Sequence, residues 1–338
     1  MIWLTWRQFR TPGLIAAVGA AIVLTVLLLT GPGIADDYLS SGMPECVATG
    51  AEPEGSDRTC GDLERSFFET YALVRGAVSL VVVGLPAIVG VFLGAPLLAR
   101  EYEAGTHRLA WAQSVSRSRW LATKLAVVGG FAVAVTAVVT ILFTWWSGPY
   151  DRPGSRVAPD VFAQRGIVPV AYVAFALALG VVLGAAIRRV LPAMATTLAV
   201  FVVVRAAVQS VVRPRLLDPV ELSYPTFSFF GADPPNLMVA EHGWVVGSPH
   251  TLDRTGAVVG GGHPVADSVF ASLCDLGRPD PTKAQLDECG RRLGLHDVMQ
   301  VHPADSFWAL QLWESAIFVG LALALVGFSF WWVRRRSG

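Results

Sequence analysis

Residues 166–187 read GIVPVAYVAFALALGVVLGAAI, 22 positions without a charged side chain. A helix rises 1.5 Å per residue, so this run reaches about 33 Å, just over the roughly 30 Å hydrocarbon thickness of a bilayer. Arg165 closes it on one side, Arg188 and Arg189 on the other. Its apolar character is continuous rather than alternating, which predicts a membrane helix and not a barrel strand.

Similar charge-free runs cover 11–35, 76–99, 125–150 and 315–333, and Val190–Val212 is interrupted only by Arg205. Six spans are therefore predicted. The composition agrees: of 338 residues 53% are hydrophobic and 15% charged, against about a quarter charged in a soluble domain. Lys+Arg and Asp+Glu are both 26, so there is no basic surplus to suggest a nucleic-acid partner. So few polar residues cannot cover globular surfaces, and disorder is excluded on the same ground.

Lys and Arg placement predicts orientation. With the N-terminus in the cytoplasm, the inside segments carry Arg7, Arg10, Arg100, Arg108, Arg117, Arg119, Lys124, Arg188, Arg189 and Arg334 to Arg336. Their basic density is more than three times that of the outside segments, and Glu101 and Glu103 are their only acids. A multi-pass protein of the plasma membrane with both termini cytoplasmic is expected. Residues 1–35 also allow a signal peptide cleaved after Gly33-Ile34-Ala35, which would leave five spans.

Cys46, Cys60, Cys274 and Cys289 all fall outside, at spacings of 14 and 15 residues. An oxidising compartment favours the disulfides Cys46–Cys60 and Cys274–Cys289, each worth about 3 kcal/mol by loop closure. No CxxC or finger-spaced histidine suggests a metal. The stretch 213–305 forms the largest outside segment, an extracellular cap. Helices are expected over 264–276, with Val265, Val269, Phe270 and Leu273 on one face, and after the Thr282–Gln285 capping pattern, so that Cys274–Cys289 would staple a helical hairpin. The fold class expected is all-α, a polytopic membrane protein of six transmembrane helices with this disulfide-stapled cap between helices 5 and 6.

Enzyme motifs are missing. The only lysines, Lys124 and Lys283, lie in no P-loop pattern, and no GxSxG, HExxH or GxGxxG occurs. His263 and Asp267 have the spacing of a base with an orienting acid, or are simply a wet histidine and a helix-initial acid. His242 and His250, eight apart in a Gly-rich stretch, have the types to bind a metal or simply lie in a plain loop.

The one long inside segment reads AREYEAGTHRLAWAQSVSRSRWLATK, residues 99–124. Its acidic "RE-x-E-x-GT" run followed by "S-x-SR-x-RW-x-x-x-K" resembles the membrane subunit of ABC-2-type (type V) ABC transporters. WLTWRQFR at 3–10 resembles the interfacial amphipathic helix that precedes the first span in that family. HPADSFWALQLWESAIFVGLALALVGFSFWWVRRR at 302–336 is similar to the closing segment of actinobacterial members. The resemblance covers about a fifth of the chain. It divides the chain into an interfacial helix (1–13), spans 1–5 with an extracellular loop (31–75) and a cytoplasmic coupling loop (100–124) within 14–212, the cap (213–305), and span 6 with a basic tail (306–338).

The resemblance implies a non-enzymatic permease subunit of an ATP-driven exporter, paired with a second copy as a homodimer or with a homologue. A separate ATP-binding subunit would bind ATP and Mg and dock on the first inside loop, at Glu101, Glu103, Gly105, Thr106, His107 and Arg108; this chain itself needs no cofactor. Physically, two acids on a basic face can pair with a soluble partner, Gly105 permits a sharp turn, and Thr106 can cap the next helix. The same loop can equally be solvated, its arginines meeting anionic lipid headgroups.

Arg205 lies roughly 22 Å into its span by helical rise. A charge there faces a cavity or partner, or snorkels to the outer headgroups. Gln311 and Glu314, one turn apart at the outer mouth of span six, join it as candidates for a translocation path. The apolar spans suit a hydrophobic or amphipathic substrate such as a lipid, drug or peptide. The alternative is a polytopic membrane enzyme or sensor whose cap carries the active or ligand site.

Overall fold

The computed structural model describes residues 2–49, 59–106, 116–225, 243–261 and 283–335. Among them, six helices are long and apolar enough to cross a membrane. We label them α1 (Thr5–Ser40), α2 (Ala72–Glu103), α3 (Arg117–Trp146), α4 (Val168–Ile187), α5 (Val190–Arg215) and α7 (Ala304–Arg335). Each contains one of the predicted runs or most of it. The chain divides into two compact units: 1–153, 163–211 and 309–338 form the first, 154–162 and 212–308 the second.

In the first unit α1 and α2 extend beyond their apolar runs at both ends. The helix that begins at Ile2 continues to Ser40 through Pro12, Pro32 and the acids Asp36 and Asp37, so no break separates residues 2–13 from the first span. Much of 31–75 is helical too, with short helices at Met43–Thr49 and Cys60–Thr70. The Thr59 side chain accepts from the Asp62 amide, and Asp62 reciprocates, which satisfies two otherwise orphaned donors. Cys46 and Cys60 form the predicted disulfide, Cα–Cα 5.6 Å. Phe67 packs beside it against Tyr38, Tyr71 and Tyr150.

Helix α4 is the centre of this unit. Its most apolar stretch is 67% buried, against 11% for α1 and 17% for α5. Leu29, Ile141, Leu191 and Leu323 point outward and are exposed, as expected where lipid replaces water.

Small residues let α2 and α4 approach backbone to backbone. Both carry Gly-x-x-x-Gly, at Gly90/Gly94 and Gly180/Gly184. A Cβ on Gly180 would lie 2.5 Å from the Gly90 carbonyl oxygen, and one on Gly184 2.3 Å from the Ala95 oxygen. Without a hydrophobic force between helices in lipid, such close van der Waals contact is a main source of association. The approach occurs where α2 widens into a π-helical segment, Gly90–Gly94.

The second unit corrects the all-α expectation. It contains a four-stranded antiparallel sheet of β1 (Val220–Pro225), β2 (Trp244–Leu252), β3 (Val258–Gly261) and β4 (His296–His302), in the order β1-β4-β2-β3. Val301 pairs with Val220 on one side and Val245 on the other. Leu222, Met299 and Val301 form a small core, and buried Asp297 accepts from the Thr251 hydroxyl. The strands are short and rich in valine; β2 and β3 form a local hairpin, but β4 pairs with β1 across about 80 residues and with β2 across about 50, pairings that no local pattern announces. The helix expected after Thr282 is present as α6 (Lys283–Leu293). The expected helix 264–276 and Cys274, and with them the Cys274–Cys289 staple, lie outside the described residues.

Residues 154–162 also belong to this unit, a contribution the sequence division at 213 does not anticipate. Arg213 is fully buried there, its guanidinium 4.4 Å over the Phe162 ring and bonded to the Pro159 carbonyl.

Candidate functional site

Three spans meet where α2 ends and α3 begins, on the face of the first unit that carries the chain's N-terminus. Helix α2 stops at Glu103 in a tight turn: the Ala104 amide bonds the Arg100 carbonyl, the Gly105 amide bonds that of Tyr102, and Gly105 takes φ +69°. A left-handed residue at this position favours glycine. Ser116 caps the start of α3, its hydroxyl accepting from the Arg119 amide. His107 and Arg108 lie outside the described residues; Thr106 is exposed.

The acids of the sequence motif turn back onto the protein. Glu101 is buried and its Oε1 lies 2.7 Å from the Lys124 ammonium, itself buried. Lys124 also reaches Gln8 Oε1 and the Leu97 carbonyl, both at 3.4 Å, and lies 5.2 Å over the Trp120 ring. One ion pair thus ties α1, α2 and α3 together. Glu103 is exposed, but its carboxylate accepts from the Val190 amide at 2.9 Å and caps α5. Arg188, in the left-handed conformation at φ 61°, ends α4 and stacks 5.4 Å over Tyr102. The motif residues 101–103 therefore clamp the base of the loop to α3 and to the α4–α5 junction.

The second group of candidates lies at the far ends of the spans. Gln311 and Glu314 are fully buried. Gln311 Oε1 accepts from the amides of Ile167 and Val168, 3.0 Å each, and so satisfies the start of α4. The Tyr172 hydroxyl donates to Glu314. Arg205 donates to the Val83 carbonyl at 2.8 Å and sits 4.9 Å over the Tyr172 ring. Tyr172, absent from the sequence-based candidates, is what brings Arg205 and Glu314 into one cluster. A tyrosine within an apolar run was the available signal.

Sequence reading also passed over Asp151 and Arg165, which form a two-pronged, largely buried pair with N–O distances of 3.0–3.3 Å under the Phe143 ring. Of the histidine candidates, His250 lies on β2; His242, His263 and Asp267 lie outside the described residues. No group of three or more metal-ligating side chains occurs among the described residues.

Six helices of bilayer length and apolar composition define a multi-pass membrane protein. The chain belongs to the ABC-2 membrane transporter related family, whose model matches residues 17–213. The match runs from within α1 through most of α5, which makes the chain a transporter permease subunit of a class that works with an ABC ATP-binding subunit and is not itself an enzyme. Neither the curated proteins nor the solved structures gave a match.

Proposed function

We propose that this chain is the membrane subunit of an ATP-driven exporter that moves a hydrophobic or amphipathic substrate (a lipid, drug or peptide). In this reading a separate ATP-binding subunit, holding ATP and Mg, docks on residues 100–120 from the cytoplasm. Both termini lie on that side of the plasma membrane, and two copies of the chain frame the path. The observation that carries the proposal is the threefold anchoring of the loop base. Glu101 on Lys124, Tyr102 under Arg188 and Glu103 on Val190 bind it to the ends of three spans, so a displacement of the loop would pass to the bundle as a rigid push. Thr106, His107 and Arg108, just beyond those anchors, are the positions left to meet the partner. Arg205, Gln311 and Glu314 supply polar lining at the opposite end, closed here and opened when α7 parts from α4.

The test is reconstitution with the ATP-binding subunit. Reversing Arg108 to Glu should reduce co-purification and substrate-stimulated ATP hydrolysis in lipid. Unchanged co-purification together with unchanged transport would overturn the docking site.

A further inference from the structure

Beneath the loop base, α1, α2 and α3 enclose a pocket of about 270 Å³. All three helices grade its wall in the same sense. Along α1 the lining runs inward from Thr5 and Gln8 to Phe9 and Pro12; along α2 it runs from Arg100 to Leu93 and Phe92; along α3 from Lys124 to Val128. At 1.5 Å per residue the graded wall is roughly 6–12 Å deep. Its polar end lies at the membrane surface and its greasy end among the spans. Phe92 is 58% exposed while Phe9 is buried, so the greasy end opens sideways where acyl chains run.

The charges at the polar end are unequal. Lys124 is neutralised by Glu101. Arg100 is exposed and, among the described residues, has no carboxylate partner. Its guanidinium presents a planar fork suited to phosphate oxygens, with Gln8 and Thr106 as neighbouring polar groups. The recess is open on one side and lined at one end by polar and at the other by apolar side chains, a shape suited to a headgroup and the first methylenes of one chain.

We propose that this pocket binds one anionic phospholipid of the adjacent leaflet, its phosphate on Arg100 and its proximal acyl chain against Leu93, Leu97 and Phe92. Basic pockets between membrane helices are known devices for seating anionic headgroups. The site needs the six-span bundle but neither export nor the ATP-binding subunit, so it stands apart from the function proposed above. A lipid seated here would brace the Glu101–Lys124 anchor against α1.

Native mass spectrometry of the full-length chain in neutral detergent, titrated with short-chain phosphatidylglycerol or phosphatidylcholine, tests this without ATP or partner. One phosphatidylglycerol per chain should be retained in preference to phosphatidylcholine. Arg100→Gln, at an exposed position, should weaken phosphatidylglycerol retention about fivefold and remove most of its advantage over phosphatidylcholine, whose choline already offsets the phosphate charge. Leu97→Trp, which fills the greasy end, should weaken both. Equal retention of the two lipids by the wild type, or undiminished phosphatidylglycerol retention in Arg100→Gln, overturns the proposal.

Discussion

Glu101 Oε1 lies 2.7 Å from Lys124 Nζ, and both side chains are shielded from solvent by α1. In the sequence Glu101 is one of only two acids on the basic inside face. Folded, it holds two spans together. Removing one member of a buried pair strands the other charge and costs about 3–5 kcal/mol. Glu101→Ala and Lys124→Ala should therefore each lower thermal stability in detergent clearly, and Glu101→Leu with Lys124→Leu should recover most of the loss. A Glu101→Ala protein as stable as wild type would show that the pair is not structural.

Glu103 acts locally. Its bond to the Val190 amide satisfies one of the orphan donors at the start of α5. Glu103→Ala should cost about 1 kcal/mol, and hydrogen exchange at Val190 should accelerate while the middle of α5 is unaffected. Equal protection in both proteins would contradict the cap.

The glycine contact between α2 and α4 allows a paired experiment. Gly180→Val places side-chain carbon against the Gly90 oxygen and the Ala95 nitrogen, 2.5 and 2.6 Å from an ideal Cβ. Backbone cannot yield cheaply there, so a loss at or above the usual 1–3 kcal/mol for overpacking is expected. Gly320 has nothing within 4 Å of its Cβ position, and Gly320→Ala should be neutral or slightly stabilising. Thermal melts of the two variants side by side decide the matter.

The Cys46–Cys60 bridge closes a short loop. Cys46→Ser should lower stability by about 3 kcal/mol in the chain-entropy picture, and peptide mapping without reductant should recover a linked 46–60 fragment. Unbridged thiols at both positions would refute it.

Asp253 organises the turn between β2 and β3. Its carboxylate accepts from the Thr255 hydroxyl and from the Thr255 and Ala257 amides at 2.7–3.0 Å. These bonds, the Thr255 hydroxyl above all, hold its pKa below the usual aspartate value. A lowered folded value means that the contribution is complete above the ordinary carboxylate range and fades as pH falls through the lowered one. Amide exchange at residues 255–257 should therefore stay slow on mild acidification and rise only at stronger acid, whereas Asp253→Asn should remove that dependence.

The six spans were legible because membrane helices are a local property. In lipid each segment must satisfy its own backbone hydrogen bonds and present about 20 apolar residues, so composition along the chain suffices to find them. The Cys46–Cys60 bridge was legible for a similar reason, spacing and compartment being readable one loop at a time. What only the tertiary structure decided is which polar groups meet. Glu101 pairs with Lys124 on the next span, Tyr172 joins Arg205 to Glu314, and Gln311 caps a helix more than 140 residues away. Likewise β4 finds β1 and β2 across long stretches of chain. These contacts depend on how helix faces rotate toward one another and how distant strands register. Both are set by the close packing of glycines and side chains over the whole unit, which no single stretch of sequence contains.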